Sequence, residues 1–196
     1  MRQLKAMMMV AVVASATLVL QACGGAQQLP PPPPPPTRTP DVIFVPTRPA
    51  VVDAMMKLAN VTKNDVVYDL GCGNGAFIVA AGKIGARAVG VDIDPERVEE
   101  AKANVKAAGL TDRVTVIHGD IFDPGLKIGD ATVVTLYLLG QLNAKLAPRL
   151  KAELRPGTRV VSNTFDMMQA SPPWPHDATE MVDGYTPIYL WRIPPR

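Results

Sequence analysis

From about residue 49 onward, short apolar runs alternate with longer amphipathic stretches, a pattern that predicts repeated strand–helix–strand units. Val51, Val52, Met55, Met56 and Leu58 share one helical face behind Thr47-Arg48-Pro49. A first helix is therefore expected from 49 to about 60, capped by Thr47, with its methionines filling core space. Residues 66–70 and 87–91 are β-rich runs, separated by a small, helix-compatible stretch over 76–83. Asp94-Pro95 pairs a capping side chain with proline at the first helical position, and Val98, Ala101, Val105 and Ala108 follow at helical spacing until Gly109. A third strand is expected over 114–118. Residues 131–136 form a nearly unbroken apolar run, as in a central strand buried on both faces. Residues 141–154 predict a helix despite Pro148, and 159–162 a fifth strand. Beyond Asn163 the chain is rich in proline as far as His176, which predicts a loop; the runs 180–182 and 186–193 then flank Asp183-Gly184 as a terminal hairpin.

The candidate chemistry lies where the first strand turns into the helix after it, at Tyr68-Asp69-Leu70-Gly71-Cys72-Gly73-Asn74-Gly75. Glycine accepts positive φ and lets backbone N–H groups approach a ligand, and the helix start adds unpaired donors. Asp92 at the carboxyl end of the second strand can accept both hydroxyls of a ribose. A nucleoside-bearing cofactor fits this arrangement. The spacing is G-x-G-x-G preceded by an acid, not the G-x-G-x-x-G of dinucleotide folds, and no P-loop lysine follows. The run D-x-G-x-G-x-G resembles motif I of class I S-adenosylmethionine-dependent methyltransferases, and the resemblance extends over most of residues 45–193.

That resemblance implies S-adenosylmethionine as cofactor and an α/β fold, a Rossmann-like seven-stranded sheet closed by an antiparallel C-terminal hairpin. It places the glycine loop, with Asp69, Gly71, Cys72, Gly73 and Gly75, along the methionine portion, and Asp92 on the ribose. Asp120, after the third strand, falls where such enzymes keep an acid near the adenine amino group, with Ile93 and Ile121 flanking the base. Read on its own, Asp120 could equally cap the next turn. A plain Rossmann domain would need a helix before a sixth strand, and the proline-rich loop argues against one. Val45-Pro46-Thr47, Tyr137-Leu138-Leu139 with Asn143, and residues 154–162 look narrower still: they resemble the small lysine methyltransferases that modify ATP synthase subunit c and their bacterial relatives. Gly140 and Asn163-Thr164 depart from that group on the acceptor side. The implied reaction is methylation of a protein lysine or another amine, a membrane protein being among the acceptors; Tyr137 reads either as orienting the amine or as only packing at the strand end. Trp174 is read as lining the same mouth or as a surface-loop aromatic. His118 ends a strand without a catalytic role.

Charge and composition narrow the partners. The chain has 196 residues with 20 Lys+Arg against 18 Asp+Glu, and Arg2 and Lys5 account for the difference. The remainder is neutral, which argues against a nucleic-acid partner, as does the lack of an Asn/Asp-Pro-Pro-Tyr motif after the fourth strand. Lys145, Arg149, Lys151, Arg155 and Arg159 read as a solvated helix side and the loop after it. Arg2 and Lys5 precede an apolar run over 6–20 and then Leu20-Gln21-Ala22-Cys23-Gly24, a sequence similar to a bacterial lipoprotein signal. Residues 1–22 are thus expected to be a signal peptide. Residues 23–40 would hold a lipidated Cys23 and a linker, and 41–196 the methyltransferase domain. Seven prolines over 30–36 predict a polyproline II spacer of roughly 20 Å at about 3.1 Å per residue. Export would set the domain on a membrane outside the cytoplasm, where the cofactor is not expected, so a tethered binding domain without turnover is the alternative function; if the signal is unused, the protein is cytoplasmic. With Cys23 lipidated, Cys72 has no intrachain partner, and no Cys/His cluster suggests a metal.

Overall fold

The computed structural model describes residues 39–196; the expected signal peptide, the lipidation site at Cys23 and the proline spacer over 30–36 lie outside them. The elements run α1 (Pro49–Leu58), β1 (Val66–Leu70), α2 (Ala76–Ile84), β2 (Arg87–Asp92), α3 (Pro95–Ala107), β3 (Val114–His118), β4 (Val133–Leu136), α4 (Gly140–Glu153), β5 (Arg159–Asn163), β6 (Ala178–Val182) and β7 (Thr186–Arg192). One seven-stranded sheet has the order β3-β2-β1-β4-β5-β7-β6. The first five strands are parallel, while β7 runs antiparallel to both β5 and β6. This is the α/β methyltransferase fold with its terminal hairpin.

The central strands β1 and β4 are buried at every position, as expected of parallel strands covered on both faces. One core cluster packs Leu146, Leu150 and Leu154 against Leu70, Leu136, Val160 and Trp191; the other packs Val52, Met55 and Met56 with Phe77, Ile78, Val67 and Val161. The sheet turns antiparallel between β5 and β7, and the hairpin turn has Asp183 at φ 53° and Gly184 at φ 75°. Those paired positive angles suit a right-twisted two-strand ribbon, which is why Asp-Gly marked the turn in sequence.

Three expectations need correction. The N-cap of α1 is Arg48, not Thr47: Pro49 holds the preceding residue extended, at φ −63° and ψ 140°, so the helix cannot start earlier. Asp94, by contrast, does cap α3, accepting from the backbone N of Glu96. Trp174 is neither a mouth residue nor a surface aromatic; it is buried against Trp191, whose Nε1 donates to the Trp174 carbonyl at 2.9 Å. The basic stretch over 145–159 is not one solvated side. Lys145 lies over the Phe122 ring and Lys151 over Trp174. Arg149 turns inward onto the carbonyls of Ile121 and Leu126, and Arg159 onto Asp65 and the carbonyls that end α1.

Candidate active site

The carboxyl ends of β1, β2, β3 and β4 surround one cavity, as open α/β sheets do at their switch point. Its floor is the loop after β1. Gly71 N and Cys72 N both donate to Val91 O, at 2.8 and 3.0 Å, which folds the loop back onto β2. Gly71 has φ +91° and Gly73 φ +51°. A Cβ on Gly71 would stand 2.8 Å from Leu138 Cδ2, and one on Gly73 would collide with the Phe44 ring, so both glycines keep bare backbone facing the cavity.

Asp92 organises the next wall. Its Oδ2 accepts from Gly73 N at 2.7 Å and its Oδ1 from Asp94 N at 2.9 Å, so one carboxylate locks the glycine loop to the start of α3. A carboxylate offers about four acceptor sites, so two remain for ligand hydroxyls. Ile93 and Ile121 supply apolar walls, and the Ile93 carbonyl is held by His118 Nε2 at 3.1 Å. Asp120 lines the cavity and also accepts from Phe122 N at 2.8 Å, the bond by which it caps the turn after β3. Arg149 fixes the same loop through the Ile121 carbonyl at 2.5 Å. Tyr137 and Leu138 close the side toward β4.

The sequence-predicted residues Gly71, Cys72, Gly73, Asp92, Ile93, Asp120, Ile121 and Tyr137 thus meet around one space. Asp69 and Gly75 do not line it. Gly75, at φ 82°, starts α2 and lets it close on α3, where a Cβ would stand 3.2 Å from that of Ala101. Asp69 lies beneath the loop, its Oδ1 accepting from Thr135 Oγ1 at 2.7 Å and its Oδ2 buried without a hydrogen-bond partner. Cys72 Sγ fills the space left by Gly90, and burial, with Asp69 and Asp92 adding, pushes its thiol pKa up. A thiol so held is a packing group, not a nucleophile. Sequence reasoning missed Arg97, Leu142 and residues 40–45 and Thr47, all of which line the cavity. Arg97 was findable, since it follows the Asp94-Pro95 cap within the first turn of α3.

Burial pushes the Asp69 carboxyl up to about 8, with the Asp92 charge adding and the Thr135 hydrogen bond opposing. The folded chain therefore keeps a proton that the unfolded chain loses above the ordinary carboxyl value of 3.8, and stability falls as pH rises between those two values. The wild-type urea midpoint should decline from pH 5 to pH 8, and Asp69→Asn should remove part of that slope. Parallel pH profiles for the two proteins would contradict the assignment.

The donor set fits the cofactor that motif I implies: an acid with spare acceptor capacity, two apolar walls and a floor of bare glycine backbone. Known proteins agree. The ANTKMT methyltransferase domain family matches residues 69–174. A protein-lysine N-methyltransferase of Saccharolobus islandicus is 45% identical over 158 residues, covering 79% of this chain and 95% of that protein. The crystal structure of an RNA methyltransferase from Salinibacter ruber, in complex with S-adenosyl-L-homocysteine, is 46% identical with a TM-score of 0.72, covering 78% of this chain and 95% of that one. A ribosomal protein L11 methyltransferase of Thermus thermophilus is 39% identical over 97 residues, half of this chain but only 37% of that protein.

Proposed function

The chain belongs to the ANTKMT-like family of class I S-adenosylmethionine-dependent methyltransferases, and from that premise we propose that it methylates the side-chain amine of a protein lysine. The observation that carries the reading is the 45% identity to a protein-lysine N-methyltransferase along 95% of that relative's length. The cavity supports it. When bound, S-adenosylmethionine supplies a methyl group already activated on a sulfonium, so the protein's task is alignment and exclusion of water.

The residues lining the cavity divide that task. Asp92 and the Gly71–Gly73 backbone line one part of the cavity, while Tyr137 and Leu138 at the end of β4, with Leu142 on α4, line the part that in this reading meets the acceptor. A lysine, with a free pKa of about 10.4, must give up a proton to the solvent before its lone pair can attack; apolar walls such as Leu138 and Leu142 favour the neutral amine. In this reading the Tyr137 hydroxyl orients that amine.

An RNA acceptor is the second reading, favoured by the description of the Salinibacter relative. Charge weighs against it: Arg149 and Arg159 are engaged with carbonyls and carboxylates, and Lys145 and Lys151 lie over aromatic rings. The test offers labelled cofactor and the full chain to membrane-protein, soluble-protein and total-RNA fractions. Label recovered as methyl-lysine in protein is the expected result, weakened about tenfold or more by Tyr137→Phe if its hydroxyl positions the amine. Label confined to RNA would replace the lysine reading.

A further inference from the structure

The buried stripe of α4 is Asn143, Leu146, Ala147 and Leu150, at the spacing of a core-facing helix. Asn143 is its polar member, fully buried where leucine would complete the apolar face. Burying an amide is unfavourable unless the bonds it made to water are replaced. Here the replacement is partial. Nδ2 donates to Ser162 Oγ at 3.1 Å and to the Phe165 carbonyl at 3.0 Å, whereas Oδ1 is buried without a hydrogen-bond partner. Folding stability alone does not account for an amide at this position.

Its bonds converge on a strained turn. Ser162 Oγ donates to the same Phe165 carbonyl at 2.7 Å, so one oxygen is held from both α4 and β5. Just before it Thr164 takes φ 66°, a conformation that a β-branched residue adopts only when its surroundings impose it. Thr164 N donates to Pro187 O at 2.8 Å and Phe165 N to Asn163 O at 2.7 Å. The chain then returns to the start of α4, where a Cβ on Gly140 would stand 3.3 Å from Gln169 Nε2. This clamp adjoins the wall assigned to the acceptor: Leu142 precedes Asn143, and Ser162 pairs in register with Leu136, the residue before Tyr137. Asn143, Ser162 and Phe165 themselves do not line the cavity.

We propose that Asn143 is a positioning residue for methyl transfer: its amide locks the turn after β5 to the first turn of α4 and so holds Tyr137, Leu138 and Leu142 in place for the incoming acceptor. It acts through these neighbours and not by touching the cofactor. The inference rests on the lysine reading above, which makes that wall the acceptor side. Its mark is an amide kept for turnover at the expense of stability. In Asn143→Leu, which keeps the heavy-atom count, Ser162 still serves the Phe165 carbonyl and the unpartnered Oδ1 is gone, so no buried polar group is orphaned.

The test uses the full chain, labelled S-adenosylmethionine and poly-L-lysine as acceptor, with calorimetry on S-adenosylhomocysteine to count intact cofactor sites. Asn143→Leu should melt no lower than wild type and bind S-adenosylhomocysteine within about twofold of it, since no cofactor contact is removed. Turnover per binding site should fall roughly tenfold to a hundredfold, as for a small misplacement at a reacting centre. Asn143→Ala should show the same kinetic loss without the bulk of leucine. Adding Ser162→Ala to Asn143→Leu should cost less than the product of the two single losses, because both side chains act through one carbonyl. Unchanged turnover per site in both Asn143 variants would overturn the proposal. So would a fall in cofactor affinity that matches the fall in turnover, or a loss of binding sites and melting temperature with normal turnover at the sites that remain. A wild type that binds S-adenosylhomocysteine yet leaves poly-L-lysine unlabelled would instead sink the lysine reading beneath it.

Discussion

Asp92→Ala should lower affinity for S-adenosylhomocysteine by at least about a hundredfold, since two hydrogen bonds to a charged carboxylate are worth roughly 3 kcal/mol or more together. The effect has two sources. The side chain keeps acceptor capacity for ligand hydroxyls, and it also ties Gly73 N and Asp94 N together. Asp92→Asn, which keeps one acceptor oxygen and can satisfy only one of those two backbone donors, should fall between wild type and alanine. Calorimetry measures the affinities, and far-ultraviolet circular dichroism confirms that the sheet is intact. Wild-type affinity in the alanine variant would remove Asp92 from the site.

The largest stability effect is expected at the other end of the chain. Trp191 is fully buried, contacts Trp174 and Tyr189, and donates to the Trp174 carbonyl. It also sits opposite Val160 at the β5–β7 seam, where the sheet turns antiparallel. Truncation to alanine should cost about 3–5 kcal/mol, as for other buried tryptophans, and the lost contacts should loosen the proline-rich loop that leads to β6. Urea unfolding checks the cost. Because Trp191 does not line the cavity, the folded fraction should still bind ligand as wild type does. A midpoint unchanged by the substitution would mean that the hairpin is not part of the cooperative core.

Much of this arrangement was legible in the residues because its signals are local. Glycines at positive φ, proline at the first position of α3 behind Asp94, and Asp183-Gly184 at the hairpin each encode backbone geometry in one or two side chains. Asp92, Asp120 and Tyr137 fall at strand ends, and strand ends converge in a parallel sheet. Asp69 shows the limit. A carboxylate two residues before a glycine loop reads as a ligand contact, yet alternation within a strand buried on both faces does not reveal which side faces the cavity. Its placement beneath the loop follows from Thr135 on the neighbouring strand.

The cavity-lining segment before α1 was illegible for a different reason. Residues 40–47 have neither helical nor strand periodicity, and what seats them, Gly73, Arg97 and Asp183, lies far along the chain. The same holds for Arg149 and Arg159. Their spacing suggests a solvated basic face, and only the tertiary fold supplies the carbonyls and the carboxylate that draw them inward. Even the cap of α1 was decided one residue away from the better capping side chain, by the steric demand of Pro49.

Crystals of the full chain grown with S-adenosylhomocysteine test the central claim most directly. The account predicts ligand density in the cavity at the carboxyl ends of β1 to β4, with the ribose on Asp92 and the base between Ile93 and Ile121. Density elsewhere on the sheet, or a ribose that does not touch Asp92, would contradict it.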